Sequence, residues 1–154
     1  MPEAVEKNNK KIYLRNVSEN DIDLLFAWAN DPLVRANSFS TEPIPYEDHK
    51  KWFSNLIKDE NRRQYILMED EEAVGQIRFN ISGGEAEIGY SISPAKRGCG
   101  YGQILLELAK TRLKEDRPEV TKLTGRVKEG NRASEACFKK CGFSTVSGRF
   151  EYKF

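Results

Sequence analysis

The stretch Ser91-Ile-Ser-Pro-Ala-Lys-Arg-Gly-Cys-Gly-Tyr-Gly102 decides how this chain folds. An apolar alternation through Ile88, Tyr90 and Ile92 stops at Pro94, and a helical run opens at Gln103. Between them lie Arg97, Gly98, Gly100, Tyr101 and Gly102. Glycines at alternate positions leave backbone N–H groups unshielded, and the helix N-terminus behind them adds a partial positive charge. Arg97 adds a full charge on a planar fork that suits phosphate oxygens. A strand–glycine turn–helix unit of this kind can hold a pyrophosphate. It is not a Walker A loop, because Gln103 and Ile104 stand where Lys and Ser/Thr belong. Nor is it a dinucleotide fingerprint, whose spacing is G-x-G-x-x-G near the start of a doubly wound sheet. The pattern that fits is R-x-x-G-x-G, fixed by Arg97, Gly100 and Gly102; a glycine turn that merely caps a helix is the plain alternative.

Working outward, Ile12–Val17 alternates as a first strand, and Ser18 stands as N-cap before a helix over Asn20–Asn30. Leu33–Pro45 reads as irregular. Tyr46–Lys58 is a second helix, whose stripe is His49, Trp52, Phe53, Leu56 and Ile57. Gln64–Met68, Ala73–Ile81 and Glu85–Ile92 read as an antiparallel meander that turns at Gly83-Gly84. After the glycine turn come a helix over Gln103–Lys114, a strand over Thr121–Val127, a helix over Asn131–Lys140 and a last hairpin to Phe154. The order is βααβββαβαββ. It describes an α+β protein whose fourth and fifth strands, joined through a crossover helix, must run parallel.

Composition narrows the function classes. A chain of 154 residues suits one domain spanning 1–154, with residues 1–10 as a loose tail. A formal net charge of +1 gives no electrostatic reason to expect nucleic acid or a membrane surface as partner. No apolar run approaches a transmembrane span. The three cysteines come without the His or further Cys that a metal site needs, so no metal is expected and the thiols fit a reducing cytoplasm.

Two motifs together carry a resemblance. The first is Glu87-Ile-Gly-Tyr-Ser-Ile-Ser-Pro94 running into the glycine turn. The second is Asn131-Arg-Ala-Ser-Glu-Ala-Cys-Phe-Lys-Lys-Cys-Gly-Phe143. At this spacing and element order the chain resembles the GNAT N-acetyltransferase superfamily from about Tyr13 onward. That resemblance implies a mixed, mostly antiparallel central sheet with helices on both faces, splayed between the fourth and fifth strands. It also implies acetyl-CoA as co-substrate. Tyr90 and Ile92 would offer backbone groups to the pantetheine arm. Arg97, Gly98, Gly100, Tyr101 and Gly102 would hold the pyrophosphate, Asn131 would bond the pantetheine, and Lys140 would approach the nucleotide end. Phe138 is the departure: many members carry a tyrosine there as the acid for the leaving thiolate, and Phe cannot donate a proton.

Glu87 is the first candidate for the base that takes the amine proton, and a surface-facing strand residue is its plain reading. His49 is the second, although a lone His on an apolar stripe is more often packed and hydrogen-bonded. With no Ser-His-Asp or Cys-His pairing in view, direct transfer in a ternary complex is expected, without an acetyl-enzyme. The resemblance implies a small-molecule amine as acceptor. The run of Trp28, Asn30, Arg35, Ser38, Phe39, His49 and Trp52 resembles the branch that acetylates nucleotide-linked amino sugars, of the pseudaminic-acid pathway type. Aromatic faces suit sugar or base rings and Arg35 suits a diphosphate, while core packing is the plain reading of the tryptophans. A ribosomal-protein-type N-terminal amine acetyltransferase and a non-catalytic acyl-CoA-binding module are the alternatives. Oligomeric state, a homodimer included, is left open.

Overall fold

The computed structural model describes residues 4–154. Its core is organised by β3 (Arg62–Glu69), where Tyr65, Ile66, Leu67 and Met68 are all buried. Strand periodicity sends alternate side chains to opposite faces. Tyr65 and Leu67 join one hydrophobic cluster, Ile66 and Met68 the other. A strand apolar on both sides needs cover on both sides, and helices supply it. The second cluster lies under α1 (Ile22–Ala29) and α3 (Tyr46–Lys58). The first packs on α4 (Tyr101–Asp116) and on α5 (Arg132–Lys140), through Phe138 and through Cys141 at the C-cap.

Among the described residues one sheet holds eight strands. It starts with β1 (Ala4–Lys7) and β2 (Lys10–Asn16), then β3, β4 (Glu72–Ser82) and β5 (Glu85–Ile92). β6 (Lys122–Gly125) lies beside β5, followed across the sheet by β8 (Arg149–Lys153) and, at the far edge, β7 (Ser144–Val146). All neighbours are antiparallel except β5 and β6, which the α4 crossover makes parallel. Their pairing runs only from Glu85↔Lys122 to Ile88↔Gly125. β5 continues through Ile92 while β6 ends at Gly125, so the expected splay is present.

Three expectations are corrected. The loose tail over 1–10 gives way, from Ala4 on, to a strand that pairs with β2 in the register Ala4↔Tyr13 to Lys7↔Lys10. Asn8 and Asn9 turn it with positive φ, which Asn tolerates. The stretch read as irregular contains a short helix, α2 (Pro32–Ala36), capped by the Asp31 carboxylate on the N–H groups of Leu33 and Val34. The strand read as Thr121–Val127 stops at Gly125, where the chain leaves β5 at the splay.

Candidate functional site

The glycine turn stands at the open end of the splay. Gly98 and Gly100 have φ of +72° and +87°, left-handed values that other residues adopt only under strain. Nothing lies within 4 Å of the position a β-carbon would take at either, so their requirement is conformational. Gly100 is the N-cap of α4, and no side chain caps that end. The first-turn N–H groups of a 16-residue helix are thus presented to the groove. Gly102 is needed for a different reason: a β-carbon there would lie 3.2 Å from Cys137 Sγ, where α4 crosses α5.

Beneath this turn sits Glu69, at the end of β3. Its buried carboxylate accepts hydrogen bonds from the Tyr101 hydroxyl and from Lys96 (2.9 Å), with Lys10 at 3.6 Å. Those bonds, Tyr101's first, hold the Glu69 carboxyl below the usual carboxylate range. Burial and Glu69 together push the Tyr101 phenol up to about 12. The Tyr101 side chain is therefore a buried anchor of the cradle, and only its backbone faces an anion. Arg97 makes an ion pair with Asp31 (2.5 Å), linking the cradle to the cap of α2.

From the cradle a groove of about 860 Å³ follows the splay, within the range of cofactor-sized sites. Tyr90, Ile92, Gly98, Gly100, Tyr101, Gly102, Asn131, Phe138 and Lys140, all expected from the sequence at a cofactor site, line it with Glu87, Arg97 and Phe39. Asn131 caps α5, its side chain accepting from Ser134 N–H (3.4 Å). Glu87 is ion-paired with Arg126 (3.4 Å), which itself lies over the exposed Phe39 ring at 5.1 Å. Phe138 is a wedge. It stacks on Phe150 at 5.3 Å and meets Tyr90 edge-on at 5.8 Å, while its ring tip is 2.6 Å from where a Gly125 β-carbon would be. The Tyr90 hydroxyl, 3.0 Å from Ser134 Oγ, is the phenol beside that wedge. Cys137, whose thiol is brought to about 7 mainly by a hydrogen bond with Cys141, also lines the groove.

A smaller cavity of about 190 Å³ opens off the groove between α1, α3 and the β3–β5 face, sharing Arg35, Ser38, Gly89 and Ser91 with it. Its floor is polar. Gln64 donates to Gln76 (2.9 Å) and Gln76 to Ser91 (3.1 Å), with Arg78 beside them. Trp28 and Trp52, read from the sequence as acceptor-site residues, line it.

Several expected roles change. The Arg35 guanidinium is spent on the carbonyls of Ala29 (2.7 Å), Ser40 (3.0 Å) and Glu42 (3.3 Å) and on Ser38 Oγ (3.3 Å), so it braces a loop instead of offering a free fork to a diphosphate. Ser38 Oγ in turn donates to Val34 O (2.6 Å). Asn30 clamps Ile44 through both its amide atoms, at 2.7 and 3.0 Å, and lines neither hollow. His49 is 2% exposed, and its Nε2 donates to Ile22 O (2.9 Å) among Phe26, Trp52 and Phe53. The ring also lines the small cavity, while Glu87 is the carboxylate on the groove. Sequence reasoning missed Arg78, because Gln76-Ile-Arg-Phe-Asn-Ile81 alternates like a strand with one face in water. α3 and its tryptophan cover that face.

This architecture, a splayed mixed sheet with an uncapped glycine-turn helix at the gap, is the one the sequence resemblance implies. Residues 11–144 match the family model of the acetyltransferase (GNAT) domain, and the chain belongs to that family. More particularly, it is similar to the acetyltransferase PseH of Campylobacter jejuni serotype O:2, with 34% identity over 100 residues. The matched segment spans 62% of this chain and 61% of that protein. Among solved structures, a domain from Methanocaldococcus jannaschii superposes with a TM-score of 0.82 at 26% identity, covering 94% of this chain and 99% of that one. Spermidine N-acetyltransferase from Vibrio cholerae, in complex with CoA and spermine, gives 0.80 at 16% identity over 92% and 95% of the two chains. Among the described residues no three His, Cys, Asp or Glu gather to hold a metal ion, and no helix is long and apolar enough to cross a membrane.

Proposed function

We propose that the chain is an acetyl-CoA-dependent N-acetyltransferase whose acceptor is the primary amine of a nucleotide-linked amino sugar. The observation that carries this reading is the pairing of two hollows: a long groove ending on an anion cradle, and a ring-sized polar cavity that meets it beside Glu87 and Gly89. A cavity of about 150 Å³ accommodates one six-membered ring. The resemblance of the run from Trp28 to Trp52 to the branch that acetylates nucleotide-linked amino sugars supports an amino sugar over other amines.

Acetyl-CoA brings an activated thioester. The protein's part is then positional. The turn Arg97–Gly102 holds the pyrophosphate through backbone N–H groups, and the unpaired edge of β5 from Gly89 to Ile92 aligns the pantetheine as an added strand. Asn131 and Lys140 follow its far end. Glu87 takes the amine proton, and amine and acetyl group react directly within one ternary complex. Phe138 gives the leaving thiolate no proton; Tyr90 and Ser134 are the hydroxyls beside it. A thiol of pKa about 8.5 is a fair leaving group near neutrality even so. The test is a screen of UDP-amino sugars against free amino sugars, polyamines and peptide N-termini with acetyl-CoA, following thiol release. Turnover confined to peptides would move the assignment to the N-terminal amine acetyltransferases, and no turnover with any amine would leave a CoA-binding module.

A further inference from the structure

We infer that Arg78 sets acceptor specificity by seating an oxyanion of the acceptor, a phosphate or a carboxylate, where the small cavity meets the groove. This deepens the acetyltransferase reading and rests on it for the identity of the acceptor. Arg78 is central on β4, directly across from Gly89 of β5. Its guanidinium lies over the Trp52 ring at 5.3 Å, and Nη2 is 3.1 Å from where a Gly89 β-carbon would be. Any side chain at 89 would displace it. Among the described residues no hydrogen bond or ion pair satisfies this half-buried cation. Glu87, the carboxylate that acts on it, is ion-paired with Arg126. Burial, and after it Arg62, disfavours the charged form. A guanidinium remains charged regardless, and a cation removed from water without a counter-ion calls for one.

A second observation points the same way. The Gln64–Gln76–Ser91 ladder ends on Gln64 Oε1, a buried acceptor with no donor. Gln64 is the cross-strand partner of Arg78 and lines the same cavity, so the cation stands on a polar floor and not an apolar one. A hydroxylated ring that bears an acidic group suits such a floor and supplies the missing anion. A polycationic amine would meet Arg78 with like charge, so the same residue works against polyamines.

The test is calorimetry on the full chain saturated with CoA, which occupies the cradle, using UDP and glucuronate as separate probes. We expect Arg78→Gln to weaken at least one probe by about 10-fold or more, as loss of one charge-assisted contact does. Arg78→Lys should retain part of the binding, and CoA affinity should stay unchanged in both variants. Loss of UDP alone identifies a phosphate and loss of glucuronate alone a carboxylate; either supports the seat. Unchanged binding of both probes in Arg78→Gln, or no binding of either by the unsubstituted chain, overturns it. Thermal melts of both variants separate a lost contact from a lost fold. Because the readout is binding, failure to acetylate amino sugars would refute the proposed function and leave this result standing.

Discussion

Phe138 shows how one side chain decides what the splay can do. Its ring tip points at Gly125, and its faces and edges are taken by Phe150, Phe143 and Tyr90. A hydroxyl added at the tip would be driven toward the β6 backbone, away from the groove. Phe138→Tyr is therefore expected to lower stability by about 1–3 kcal/mol, the usual cost of overpacking, and to leave kcat no higher. Thermal denaturation and steady-state rates check both halves; a rise in kcat would show that the phenol reaches the thiolate. Glu87 is the opposite case, with its carboxylate on the groove wall. Glu87→Gln keeps shape and hydrogen bonding but removes basicity, so kcat should fall by about 10²–10⁴-fold and the acidic limb of the pH–rate profile should vanish. Retention of both would exclude Glu87 as the base. Arg35 and His49 carry the lesson about reading residues singly. Their residue types suggested a phosphate fork and a base, but only the fold shows that Arg35 donates to the Ala29 and Ser40 carbonyls and that His49 Nε2 is held by Ile22 O.

At the scale of elements, the cradle depends on what lies above and below it. Above, Gly100 holds a left-handed backbone with open space around it. Gly100→Val should weaken CoA binding by about 10-fold or more, because a β-branched residue resists positive φ and its bulk would face the phosphate. Calorimetry with CoA checks this, and unchanged affinity would remove the turn from the cofactor site. Below, Glu69 ties β3 to the first residue of α4 and to Lys96. A carboxyl held below its unfolded value stabilises the fold above about pH 4.3 and loses that contribution as pH falls through the folded value. Glu69→Gln should flatten the acid side of the stability–pH curve, measured by urea melts between pH 3 and 7; an unaltered slope would assign acid sensitivity elsewhere. The cradle itself was legible from spacing, since strand, glycines and helix follow one another in the chain. Glu69 was not, because it lies 32 residues from Tyr101 and nothing local marks it. Arg78 was hidden for a related reason: polar alternation on a strand looks the same whether the polar face meets water or a covered cavity.

Across the whole molecule, the segment from Asp31 to Ser40 roofs both hollows and is fastened from the cofactor side. Arg97 of the cradle grips Asp31, and Lys128, from the loop leading to Asn131, donates to the carbonyls of Ala36 (3.0 Å) and Ser38 (3.3 Å). Both fasteners are cations on the groove, so a pyrophosphate competes with the roof for one of them. Affinity for the first substrate and rigidity of the wall around the second then share a single free energy, and the coupling must be reciprocal. Asp31→Asn preserves the cap on α2 while cancelling the charge. It should tighten CoA binding, since Arg97 no longer has to be detached, and loosen the acceptor, since the roof loses an anchor. Calorimetry with CoA and acceptor Michaelis constants would record opposite shifts; a shift in one of them alone would show the two sites to be uncoupled. A bolt that the first substrate must draw gives an enzyme an order of loading written into its walls.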